Sequence, residues 1–348
     1  MKLKDLSALL NLSQTTVSRA LNGYPEVSEA TRRRVREAAE AHGYRPNTRA
    51  RSLATGRAMA IGHVIPLASR HEMMNPVFTD FTAGAGEICA ARGYDTLLSI
   101  VPDHAQEQAY RDMCTRGSVD GLIVHAPRQA DPRIHLLNGI GIPYVVHGRA
   151  SDSDEPYSWV DMNNTRAFRR ATDLLLDLGH RRIALVNGLA DMDFAIRRQA
   201  GFEAALAARG RAADPGLIAS DEMTEGLGYT AARGFLARPA PPTAFLVSSI
   251  IAAFGVRRAI EETGFRLGRD ISVVTHDDDL SYLQNRAEVP VFTATRSSVR
   301  EAGRLAAEML IEIVEGREGG REGEPRQTLL EAELILGQST GPVRPDGR

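Results

Sequence analysis

Residues 12–22 read LSQTTVSRALN, and the architecture of the chain follows from what this stretch can form. Ser13 is placed to N-cap a short helix over Gln14 to Asn22. At helical spacing Val17, Ala20 and Leu21 turn inward, while Gln14, Thr15, Ser18, Arg19 and Asn22 turn outward. The outer face carries amide, hydroxyl and guanidinium groups, the groups that can read base-pair edges in the DNA major groove. Upstream, Leu3, Leu6, Leu9 and Leu10 recur at helical spacing, so residues 2–10 predict another short amphipathic helix, broken by Asn11-Leu12-Ser13. Downstream, Gly23-Tyr24-Pro25 ends the second helix. Ser28 then caps a third, from Glu29 to about His42, with Val35, Ala38 and Ala39 inward and Gly43 as its stop. Three short helices with a tight first turn describe a helix-turn-helix domain.

Charge supports the same reading. Residues 1–57 hold eleven Lys and Arg against five Asp and Glu, a net +6, while the remainder carries −8. A basic head on an acidic body suits a polyanion partner. The chain has 348 residues, 43% of them hydrophobic, which predicts two or three domains with sizeable cores rather than a disordered protein. Cys89 and Cys114 are too few and too isolated for a disulfide framework or a cysteine-based zinc site. The opening MKLKDLSALLNLS lacks the pattern of a secretion signal, and no apolar run approaches about 18 residues. A soluble, cytoplasmic, nucleoid-associated protein with no membrane contact is expected.

From Ala60 the pattern changes. IGHVIP (61–66), YDTLLSIV (94–101), GLIVHA (121–126) and PYVVHG (143–148) read as buried strands separated by helices. A second series follows: SWVDM (158–162), RIALVNG (182–188), TAFLVSS (243–249), ISVVTHDD (271–278) and FTATR (292–296). Strands alternating with helices imply parallel sheets, and two series imply two doubly wound lobes with ligands at the carboxyl ends of their strands. The lobes are expected to join near 148–158, with further crossings near 289–296.

Residues 12–22, then Val27-Ser28 with Thr31-Arg32, Gly43-Tyr-Arg-Pro-Asn47 and Ala50-Arg-Ser-Leu53, resemble the lactose-repressor (LacI) family almost without a gap over the first ~55 positions. The resemblance implies an N-terminal all-α helix-turn-helix domain (1–45), a hinge helix (46–59) and a periplasmic-binding-protein-like α/β core (60–340). The core would divide into lobe one at about 60–148 plus 290–315 and lobe two at about 158–288 plus 325–340. It makes Gln14 and Thr15 the main operator-selecting residues. Leu3, Ser13, Thr16, Ser18, Arg19 and Asn22 match DNA-contacting positions, as do Ser28, Thr31 and Asn47. Ala50 and Leu53 form the short apolar edge of the hinge. In a dimer on a pseudo-palindromic operator, the two Leu53 side chains would wedge into the minor groove, where unstacking costs a few kcal/mol per step and yields a kinked duplex.

In the core, motif matching gives Asn75, Phe78, His125, His147, Arg149, Arg198, Ser249 and Asp277 as expected effector contacts. Arg198, in Arg198-Gln-Ala-Gly-Phe202, can donate paired hydrogen bonds to vicinal hydroxyls. Asp277 can accept them, leaving Asp278 and Asp279 structural or solvated. The family usually has Asp or Asn at the position of His147, and a small residue then Asn-Asp where this chain has Ser248-Ser249-Ile250. His125 and His147 could form a metal pair, but no third ligand sits at suitable spacing, so neither metal nor cofactor is expected. Trp159 could pack or could stack on a sugar.

VVHGR (145–149), FAIRR (194–198) and TATRSS (293–298) resemble the α-glucoside-responsive branch of the family. An enzyme is disfavoured: the chain has no P-loop, GxSxG elbow, HExxH or GxGxxG after a strand. The carboxylates at 277–279 do not suit glycoside hydrolysis, because adjacent strand residues point to opposite faces. A sugar-binding transport receptor would share the core but not the DNA-reading head. The reading is therefore a repressor whose operator affinity a small sugar controls, with a co-repressor ligand such as a purine as the alternative. After LLEAELIL (329–336) no leucine heptad follows, so a homodimer is expected rather than a coiled-coil tetramer.

Overall fold

The protein is described by a computed structural model covering residues 1–21, 24–44, 57–66, 76–285, 288–318 and 323–344. It forms two compact units, Met1–Met59 and Ala60–Arg348.

In the first unit, α1 (Leu3–Leu10), α2 (Gln14–Leu21) and α3 (Glu29–Ala41) enclose Leu6, Leu10, Val17, Ala20, Val27, Val35 and Ala39. Helices of eight residues do not persist alone in water, so this shared core holds them. Asn11 adopts the left-handed conformation (φ 51°) that ends α1 and starts the tight turn. Ser13 Oγ accepts the Thr16 N–H at 3.0 Å, and Ser28 Oγ accepts the Thr31 N–H at 3.3 Å. Each cap satisfies a first-turn amide that has no partner within its helix.

The second unit is built on two six-stranded sheets. Its first half runs β1 (Ala60–Pro66), α4 (Pro76–Ala91), β2 (Asp95–Val101), α5 (Gln106–Thr115), β3 (Gly121–His125), α6 (Pro132–Ile140), β4 (Tyr144–His147) and β5 (Ser158–Met162). Then come α7 (Asn164–Asp177), β6 (Ile183–Asn187), α8 (Asp193–Ala207), β7 (Ile218–Ser220), α9 (Glu225–Leu236), β8 (Ala244–Val247) and α10 (Ile250–Glu262). The chain closes with β9 (Ser272–Asp277), β10 (Thr293–Arg296), α11 (Val299–Glu318), β11 (Gln327–Leu330) and β12 (Glu333–Ile335).

The strand orders are β11-β5-β4-β3-β1-β2 and β12-β10-β9-β8-β6-β7, parallel except for the antiparallel β10–β12 pair. Runs such as Ile183–Asn187 and Ala244–Val247 are buried throughout, as strands covered by helices on both faces must be. Each lobe contains the 2-1-3-4-5 winding, which leaves a crevice at the carboxyl ends where the strand order reverses. Among the described residues no helix is long and apolar enough to cross a membrane.

Three expectations about the lobes are corrected. Ser158–Met162 belongs to the first sheet, in parallel register with β4 (Val146 beside Trp159) and with β11. The chain therefore leaves the first lobe at 162–164, not at 148–158, and Gly148 to Tyr157 is a crossover loop within one sheet. Thr293–Arg296 pairs with β9 in the second sheet, whereas Gln327–Leu330 pairs with β5 in the first. The second crossing is accordingly at 297–298, and α11 returns to pack on α4, β3 and β4 of the first lobe. A third crossing, at 331–332, separates β11 from β12.

Candidate DNA-reading face and effector cavity

On the head, Gln14, Thr15 and Arg19 are exposed on α2, while Thr16, Ser18 and Thr31 are half-buried. Ser13 and Ser28 are exposed and already engaged as caps. Leu3 is partly buried against the helical core rather than displayed. Asn22, Asn47, Ala50 and Leu53, and with them residues 46–56 of the hinge expected at 46–59, lie outside the described residues, as does Asn75 in the core.

In the core unit a cavity of about 750 Å³ opens between the lobes at the carboxyl ends of both sheets. That volume is ample for a small organic ligand. Of the expected effector contacts, Phe78, His125, His147, Arg149 and Arg198 are among its lining residues. Ser249 and Asp277 are not. Ser249 Oγ accepts the Ile251 N–H at 3.2 Å and so caps α10. Asp277 ends β9, where its Oδ1 accepts the Asp279 N–H at 2.9 Å, with Asp279 at φ 53°. Closing that turn consumes the Asp277 carboxylate, and strand alternation delivers His276 and Asp278 to the cavity instead. Trp159 is also absent from the lining; the Arg149 guanidinium lies 5.1 Å from its ring centroid.

Arg198 is the central donor. Its Nε donates to Asn164 Oδ1 at 2.7 Å and an Nη to the Ser248 carbonyl at 2.6 Å. Its guanidinium sits 5.0 Å from the Phe194 ring centroid and 5.1 Å from that of Phe168. Burial pulls its pKa down to about 10, and among the described residues no carboxylate lies within ion-pair distance. The other arginines of the lining are matched by carboxylates. Arg128 pairs with Asp191, Arg133 with Asp131, Arg149 with Asp161, and Arg197 with both Asp161 and Asp193. Burial works against the charge of Asp278, yet His276, Arg198 and His147 together hold its carboxyl below the usual carboxylate range. An arginine and an ionised carboxylate thus face one cavity with donors and acceptors to spare.

The first lobe contributes an aromatic floor. His125 and His147 are register partners on β3 and β4. Phe81 stacks on His147 (4.2 Å between centroids), while Phe78 and Phe81 meet His125 edge-on at 5.0 and 4.9 Å. Burial keeps both histidines neutral, with the pKa of His147 down to about 4. Behind them lies His63 of β1, fully buried. Among the described residues no group of three His, Cys, Asp or Glu side chains is arranged to hold a metal ion.

The sequence reading missed Asn164, Asp161, Arg197, His276, Phe81, Phe194 and His63. His276 was reachable, since it shares strand parity with Asp278. Asp161 lies on β5 and Asn164 opens the helix just past it, and the sequence places that strand in the other sheet.

Comparison with known proteins agrees with this architecture. Residues 2–47 match the family model for bacterial regulatory proteins of the lacI family, and residues 172–340 that for a periplasmic binding protein-like domain. The HTH-type transcriptional regulator AglR of Rhizobium meliloti (strain 1021) is 44% identical over 344 residues, covering 98% of this chain and 94% of the relative. The HTH-type transcriptional regulator RafR of Escherichia coli is 34% identical over 321 residues, covering 91% and 93%. Among solved structures, a transcriptional regulator CelR–cellobiose complex matches with a TM-score of 0.71 at 28% identity, covering 97% of this chain and 99% of that one.

Proposed function

Because the chain belongs to the LacI family of bacterial regulatory proteins, we propose that it is a cytoplasmic repressor that binds a pseudo-palindromic operator as a homodimer and is released by a small uncharged sugar, an α-glucoside. The observation that carries the effector half is that Arg198 and Asp278 both line a cavity to which the first lobe contributes phenylalanine and histidine rings. A guanidinium donates to the oxygens of a vicinal diol, a carboxylate accepts from its hydroxyls, and ring faces suit the apolar faces of a pyranose. Four of the five lining arginines are paired with carboxylates, and the charge of the fifth, Arg198, is opposed by the ionised Asp278, so the cavity suits an uncharged ligand. The related CelR structure holds cellobiose, a disaccharide. The α linkage rests on the stretches 145–149, 194–198 and 293–298.

The DNA half rests on the exposed amide, hydroxyl and guanidinium groups of Gln14, Thr15 and Arg19 on one helix of a capped three-helix unit. Support for a dimer comes from β2, an edge strand with Leu97, Leu98 and Ile100 exposed, and from Tyr282, 92% exposed. Residues 13–19 would read each half-site, and the segment 46–59 would carry the hinge.

The test uses the full chain. Thermal melts with maltose, trehalose, sucrose, isomaltose, cellobiose, glucose and a purine should show stabilisation by α-linked disaccharides, about 2.7 kcal/mol at roughly 100 times Kd. The same sugar should release the protein from a duplex selected out of a random-sequence pool. A shift from the purine alone would overturn the sugar reading and leave the DNA-binding reading standing.

A further inference from the structure

The fully buried His63 has no place in the cavity, yet it touches a residue that does. The parallel register sets His63 beside Ile123, two residues before His125 on the same face of the sheet. His63 therefore lies one pleat deeper than His125, and the two rings stack at 5.2 Å with 15° between their planes. Nδ1 of His63 is 2.9 Å from Nε2 of His125, so one of these nitrogens donates to the other.

Two neutral arrangements satisfy that contact. If His125 donated from Nε2, His63 would carry its own proton on Nε2, which is buried and has no partner among the described residues. If His63 donates from Nδ1, that buried nitrogen is a bare lone pair instead. A buried N–H without an acceptor is the rarer and more costly of the two in folded proteins. Both rings stay neutral: burial takes His63 down to about 4, and burial together with the neighbouring His63, His147 and Arg133 holds His125 well below the usual imidazole range. The remaining nitrogen of His125, Nδ1, then bears the proton, on a residue of the cavity wall.

We infer that His63 is a positioning residue that locks His125 in the Nδ1–H tautomer, making it a hydrogen-bond donor to an oxygen of the effector. The inference rests on the sugar reading only for the identity of that oxygen. Specificity follows from it. The wall beside His125 favours an acceptor such as a ring, glycosidic or hydroxyl oxygen and disfavours a group that can only donate.

The full chain labelled with ¹⁵N only at its nine histidines reports the tautomer directly by magic-angle-spinning spectroscopy. His125 is assigned by its loss in His125→Gln. In the sugar-free wild type its Nδ1 should give the protonated signal and its Nε2 the bare one; the reverse pattern overturns the inference, whether or not any sugar binds. His63→Leu removes the donor and should let the Nε2–H form appear, while His63→Asn keeps an N–H near the same point and should preserve the Nδ1–H form. With maltose as the probe, titration calorimetry should show about tenfold weaker binding to His63→Leu and near-normal binding to His63→Asn. Unchanged maltose affinity in His63→Leu, with the tautomer shifted, would overturn the role in recognition. A wild type that fails to bind maltose counts against the α-glucoside proposal, and the tautomer spectrum still decides this one.

Discussion

Asp277 and Asp278 are adjacent carboxylates with different tasks. The first closes the turn after β9 through the Asp279 amide, while the second faces Arg198 and the cavity. The motif points to Asp277 as the acidic contact and leaves Asp278 aside, and the structure reverses the two, because which residue faces inward depends on where the strand ends. Ser249 failed for a related reason: a serine at a strand-to-helix junction is as fit to cap as to bind, and its oxygen caps. His63 was hidden inside the apolar run of β1, where nothing in the spacing announces a polar partner. Asp278→Asn should weaken binding of the effector sugar about tenfold to a hundredfold, the cost of losing a charge-assisted hydrogen bond. Asp277→Asn should leave that affinity within about twofold. Calorimetric titration of both variants checks the assignment, and the opposite order would return the role to Asp277.

At the scale of elements, the three head helices and nearly every core strand were legible, because capping residues, helical spacing and buried apolar runs are local signals. What was not legible was partnership. The loop from Gly148 to Tyr157 contains no helix, so it read as a bridge between lobes when it is a crossover within one sheet. Helix pairing was equally silent. A Cβ on Gly84 would lie 2.0 Å from the Arg300 carbonyl oxygen, and one on Gly303 would lie 2.1 Å from that of Phe81. The close crossing of α4 and α11 thus depends on two glycines more than 200 residues apart. The edge strand β2 carries an element-scale prediction. One side pairs with β1 and among the described residues the other is left open, with Leu98 47% exposed. An apolar open edge invites a second copy, and a lysine there opposes one. Leu98→Lys should sediment as a monomer and lose at least about a hundredfold in operator affinity, since two linked heads gain that much over one. Its stabilisation by sugar should persist. A dimer of unchanged strength would remove β2 from the interface.

At the scale of the molecule, the two lobes are joined at 162–164, 297–298 and 331–332, and these crossings are neighbours. Asn163 takes the Leu330 carbonyl through its backbone N–H at 2.8 Å and Glu331 through its side chain at 2.9 Å. Met162, Asn164, Ser297, Ser298 and Leu330, which flank the crossings, all line the cavity. The lobes are also bound across the cleft by Arg197 to Asp161 at 2.7 Å and by Ser151 to Asp193 at 2.5 Å. A ligand in the cavity therefore sits beside every pivot and between groups already joined across the lobes. The motion it can bias is a rigid-body change of one lobe against the other, the kind of two-state element that distant sites can share. If sugar and operator act through that one equilibrium, their effects must be reciprocal. A sugar that weakens operator binding by a given factor is itself bound more weakly, by that same factor, when operator is present, and a coupling of about 1–3 kcal/mol corresponds to factors of about 5 to 150. Sugar affinity measured by calorimetry with and without saturating operator, set against operator affinity with and without saturating sugar, gives two ratios that should agree. Weakened operator binding with an unchanged sugar affinity would break the linkage and show that the sugar acts on DNA binding by a route other than this cavity.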